Sequence, residues 1–115
     1  MQWRTVRFEL APTGEFPRGS VARCYFVRLP LDDEGMLVTW ELESHPKRAT
    51  ARRYWSSEAD QWGHALLDDG RILLKLNGKL RELQFNKGIA LGELARIDEG
   101  GEPLAFVIAG INPGA

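Results

Sequence analysis

Glu58, Asp60 and His64 place two carboxylates and an imidazole within one short stretch of chain, with His45 as a distant fourth donor. These are donor types that hold a divalent cation, and a cation so held would activate water for a metal-assisted hydrolysis. The spacing argues against it. A helix would align Asp60 with His64, but Gly63 weakens a helix there, so a polar loop entering a strand is expected and no metal site. Upstream, Lys47-Arg48-Ala49-Thr50-Ala51-Arg52-Arg53-Tyr54-Trp55 sets four cations ahead of two aromatics with no acid among them. Basic strands with stacking rings grip single-stranded nucleic acid on small barrels. Glu58, Asp60, Asp68 and Asp69 follow directly, however, and can pair with those cations on neighbouring strands. The chain has 15 Lys+Arg against 16 Asp+Glu, a net charge of −1, so it offers no persistent positive field and nucleic acid stands as the second reading.

Four tryptophans are many for 115 residues, and each brings a large apolar area with one hydrogen-bond donor. Trp55 and Trp62 bracket the polar stretch from Ser56 to Gln61 and are the pair expected to line a pocket or a partner surface. The leading expectation is a small binding or interaction module for a protein or small-molecule partner. Its candidate residues are Arg52, Arg53, Tyr54, Trp55, Glu58, Trp62 and His64. The nucleophile-elbow, phosphate-loop, dinucleotide and zinc-helix signatures do not occur, which weighs against an enzyme and gives no reason to expect a cofactor. Cys24, the one cysteine, cannot form an intrachain disulfide and reads as a small buried side chain.

The elements that must position these residues read as strands. Val6, Phe8 and Leu10 alternate with Thr5, Arg7 and Glu9, the period of a half-buried strand over Trp3 to Leu10. Pro12, Gly14, Pro17 and Gly19 interrupt it before Val21 to Leu29 resumes an extended pattern that Pro30 should end. Met36 to His45 is ambiguous: Val38, Trp40 and Leu42 alternate like a strand, yet Thr39 could cap a short helix stopped before Pro46, and the helix is preferred. Ala49–Trp55 and Gly63–Leu67 are extended. The turn Asp68-Asp69-Gly70 leads to Ile72, Leu74 and Leu76 on one face, and Asn77-Gly78 marks a two-residue hairpin into Lys79–Phe85. Gly92–Asp98 and Leu104–Ile111 flank Glu99-Gly100-Gly101-Glu102, a further hairpin. The charge-free run Leu104–Ile111 is either a central strand covered on both sides or a strand completed by a second copy of the chain, as in a homodimer.

Six to eight short strands with turn chemistry between them and at most one short helix predict an all-β fold, a barrel or rolled antiparallel sheet. No linker divides residues 1–115, so a single domain is expected. Arg4, Arg7 and Glu9 interrupt the first apolar residues before an export signal could form, and no run is long enough to span a bilayer. A cytoplasmic protein without a membrane partner is the expectation.

The order of several short pieces resembles a group of small alphaproteobacterial proteins of unknown function. They are Arg7-Phe8-Glu9-Leu10-Ala11, Phe16-Pro17-Arg18-Gly19-Ser20, Pro30-Leu31-Asp32, Arg53-Tyr54-Trp55 followed by Glu58, Gly63-His64, and Gly92-Glu93. The resemblance covers most of the chain and implies one domain of common architecture with a helical stretch before the basic segment. It names no active residue. This sequence departs from it over Leu73–Asn86, where the group has more aromatic and acidic character.

Overall fold

In the computed structural model, which describes residues 1–113, the alternating segments become eight strands. They are β1 (Gln2–Leu10), β2 (Ser20–Leu31), β3 (Thr50–Trp55), β4 (Gln61–Asp68), β5 (Arg71–Leu76), β6 (Lys79–Phe85), β7 (Leu94–Glu99) and β8 (Glu102–Asn112). Each is antiparallel to the next, and β8 returns to β1 to close a barrel. Three two-residue turns set much of this order: Asp69-Gly70, Asn77-Gly78 and Gly100-Gly101 all have positive φ at both residues. That is the backbone whose twist matches the strands of a hairpin, and Asn, Asp and Gly adopt it with least strain. Bulges in β1, at Glu9/Leu10 against β2 and at Arg7/Phe8 against β8, add the bend that closure requires.

Alternation decides which residues fill the barrel. Val6, Phe8 and Leu10, Tyr25, Val27 and Leu29, Ile72, Leu74 and Leu76, and Phe106 and Ile108 are all buried. Large rings from Phe8, Tyr25 and Phe106 are offset by Ala51, Ala65 and Ala95 from other strands. Eight strands enclose a space that side chains can fill, so the interior is a packed core, with no open lumen for a large ligand. Gly63 marks a sharp approach of β4 to β5, where an added Cβ would lie 1.7 Å from the Lys75 carbonyl oxygen.

β2 runs on through Pro30 to Leu31, beyond the end expected at Pro30. β3 pairs with β2 only as far as Val27, so the missing Pro30 N–H falls where no third strand needs it. Instead the Pro30 carbonyl accepts from Val38 N–H at 2.9 Å, at the start of helix α1 (Thr39–Ser44). The helix starts as expected, but Val38, not Thr39, occupies the capping position, and no side chain caps it. A 3-10 turn over Pro46–Arg48 leads into β3. α1 packs against β2 and β4 and places Leu42 in the core. β8 has β1 on one side and β7 on the other, so neither of its edges is open. Its inward residues Phe106 and Ile108 are buried, while Ala105 and Val107 are half-buried on the outside. Among the described residues no helix is long and apolar enough to cross a membrane.

Candidate functional site

The alternation of β3 splits the candidate residues between two surfaces. Ala51, Arg53 and Trp55 point into the barrel, whereas Arg52 and Tyr54 point out. Arg52 lies opposite Trp62 in the register of β3 with β4, and His64 follows Trp62 on the same outer face. Trp55 and Trp62 therefore lie on opposite sides of the wall and cannot line one pocket. Arg52, Tyr54, Trp62 and His64 remain together on the outside. Arg53, Trp55 and Glu58 belong to the mouth of the barrel.

On the outer face, the Arg52 guanidinium carbon lies 5.2 Å from the Phe26 ring, 5.6 Å from Tyr54 and 5.2 Å from Trp62. Asp60 holds Arg52 in that position through a 2.8 Å hydrogen bond from Nε. Tyr54 is 38% and Trp62 61% exposed, so two large rings face solvent around one fixed cation. Arg7, opposite Phe26 on β1, is 3.1 Å from Glu9. Two of the cations on this face thus have carboxylate partners, and of these Arg52–Asp60 is a pairing that the charge order of the sequence suggested, whereas Asp68 pairs with Arg71 and Arg48 lies near Glu41.

At the mouth, Arg53 is 4% exposed and its guanidinium makes two parallel 3.0 Å hydrogen bonds to Glu99, from Nε to Oε2 and from Nη2 to Oε1. Its Nη1 donates to Glu58 at 3.0 Å, and its plane lies 4.1 Å from the Trp55 ring centroid. Glu99 also accepts from the Tyr25 hydroxyl and pairs with Arg81 at 3.1 Å. Arg81 in turn donates to the Asp98 carbonyl and to Gln61 Oε1. Tyr25 packs edge to face with Trp55 and with Phe106 beside this network. Burial, and then the hydrogen bond to Glu99, push the Tyr25 hydroxyl above its ordinary value of 10.0, so it stays a donor. Burial opposes the charge on Arg53, but the Glu99 carboxylate outweighs it and holds the guanidinium protonated.

Tyr25, Arg81 and Glu99 were not singled out from the sequence. The signal was present: Arg81 shares the parity of Leu83 and Phe85, Glu99 that of Ala95 and Ile97, and Tyr25 that of Val27 and Leu29. A charge on the core face of a strand, at its end, is the mark of such a network.

The donors Glu58, Asp60 and His64 do not converge. Glu58 binds Arg53, Asp60 binds Arg52, and among the described residues no group of three or more His, Cys, Asp or Glu side chains could hold a metal. Cys24 is buried, and burial, followed by the Glu9 charge, raises its thiol above the ordinary value. Comparison with family models, with characterised proteins and with solved structures finds no match.

Proposed function

We propose that the protein is a binding module whose outer wall, formed by Phe26, Arg52, Tyr54 and Trp62, docks on a protein partner. The observation that carries this reading is the fixing of one arginine by Asp60 among three rings, two of them open to solvent. Tryptophan, tyrosine and arginine dominate the energy of protein interfaces, and a cluster already held in place loses little side-chain freedom on binding. Single-stranded nucleic acid is the second reading, because exposed rings on a barrel wall can stack on bases. The pairing of Arg52 with Asp60 and of Arg7 with Glu9 disfavours it, since phosphate binding needs uncompensated cations.

Cross-linking with the wild-type protein and with Trp62→Ala as baits, in extracts of the native host, tests the reading. A partner captured by the wild type and lost from a Trp62→Ala variant of unchanged melting temperature supports it. Equal capture by both overturns it. Retention of an oligothymidylate at low salt that disappears with Trp62→Ala would replace the protein partner by nucleic acid.

A further inference from the structure

A separate cavity lies at the mouth, away from the outer wall. Next to Trp55 and Glu58, which contact Arg53, the loop after β1, the loop between β3 and β4, and the start of β8 border a half-open cavity of about 430 Å³. Leu10, Phe16, Trp55 and Leu104 give it apolar walls, and Arg23 and Glu58 stand among its polar groups. Its size falls within the range of small-molecule sites.

The charges behind this cavity do not balance without Glu58. Arg53 and Arg81 are both withdrawn from water, and among the described residues Glu99 is the one carboxylate that serves both. The network is also rich in donors: Arg81 Nε is buried with no hydrogen-bond partner. The missing negative charge reaches Arg53 Nη1 from Glu58, whose side chain is 51% exposed and sits on a loop, not on the barrel wall. Ser57 just before it has φ of 70°, a left-handed backbone that serine adopts reluctantly. A half-exposed carboxylate on a strained loop thus stands between a buried arginine and the cavity that the carboxylate itself lines.

We propose that this mouth binds a small carboxylate bearing an apolar or aromatic group, and that Glu58 is the built-in competitor it displaces. The ligand carboxylate would take over the hydrogen bond from Arg53 Nη1, as an arginine fork accepts any carboxylate of the same geometry. Its apolar body would lie against Trp55, Phe16 and Leu104. Arg23, whose guanidinium lies 4.1 Å from the Phe16 ring centroid, supplies a second cation at the rim. Glu15 and Glu102 also border the cavity, but both are exposed, where water and salt screen their charge.

Phenylacetate, acetate and benzylamine, each titrated into the wild type and into Glu58→Ala, test the proposal through the NMR signals of the Arg53 Nε–H and the Trp55 indole N–H. Phenylacetate should move both signals, and Glu58→Ala should bind it about tenfold more tightly, because the competing carboxylate is gone. Acetate should bind more weakly than phenylacetate, since it leaves the apolar walls uncovered. No gain in Glu58→Ala overturns the proposal, and so does benzylamine moving these signals in place of phenylacetate. If Glu58→Ala does not fold, Glu58→Gln, which keeps the shape and removes the charge, gives the same comparison.

Discussion

At the end of the barrel where β2 leaves for β3, the six residues of α1 lay Leu42 into the core, next to the apolar ends of the strands. Even the buried carboxylate there, Glu41, accepts from the Trp3 indole N–H at 3.1 Å and has the exposed His45 and Arg48 nearby. At the opposite end no helix intervenes, and Arg53, Arg81, Glu99 and Tyr25 close the barrel with charge and hydrogen bonds. Apolar closure is what stability alone would select. A buried ion network roughly offsets its own desolvation, and apolar residues of equal volume would serve as well or better. The difference therefore directs attention to the ionic end as the part of the interior that stability does not explain.

Five variants would break or sharpen this contrast. Glu99→Gln should have the largest effect, about 3–5 kcal/mol of lost stability in chemical denaturation, because it leaves two buried guanidinium groups facing each other without their shared carboxylate. Replacing the three charges together, as Arg53→Met, Arg81→Met and Glu99→Leu, should recover most of that loss. A triple variant as unstable as Glu99→Gln would mean that the ionic end is needed for folding, and the contrast would fail.

Leu42→Ala at the helical end should cost about 2–4 kcal/mol, since it removes a fully buried side chain and leaves a void. The NMR signals of Arg53 and Trp55 should stay in place, and movement there would couple the two ends.

Tyr25 gives a smaller and pH-dependent effect. Its hydroxyl ionises above the ordinary 10.0 in the folded protein, first through burial and then through Glu99, so its stabilisation is complete below pH 10. As the pH rises past 10 the unfolded chain loses its proton first, and stability should fall by about 1.4 kcal/mol per unit until the folded chain ionises too. Tyr25→Phe should flatten the stability profile above pH 10 relative to the wild type. Parallel profiles would contradict the role of the buried hydroxyl.

The smallest effect on stability belongs to the outer wall. Trp62→Ala should stay within about 0.5 kcal/mol of the wild type by thermal denaturation, because most of its ring already meets water. A large loss would show that Trp62 supports the fold and is not held there for a partner.

Much of the fold was legible because its signals are local. The period of two at Val6, Phe8 and Leu10 and at Ile72, Leu74 and Leu76 marks the buried face directly. Asn77-Gly78 and Gly100-Gly101 fix two hairpins through backbone angles that few other pairs adopt. The helix before Pro46 was legible only as the preferred of two alternatives, from the proline and from Thr39 as a cap, and the capping position belongs to Val38. The candidate site was read only in part. Arg52 and Arg53 are adjacent and chemically alike, and their opposite roles follow from parity, which the small Ala49 and Ala51 on the side of Arg53 reveal once the strand is known. Trp55 and Trp62 were grouped by nearness in sequence, and the wall between them separates them.

Local chemistry in the sequence determined the strands, their inward faces, the tight turns and the short helix, because side-chain size and backbone angles act over a few residues. Tertiary structure alone decided that Arg53 on β3 meets Glu99 on β7, strands that are not neighbours in the sheet. That contact crosses the interior, and its partners are fixed only when the registers of eight strands, bent by the bulges of β1, sum to a closed ring.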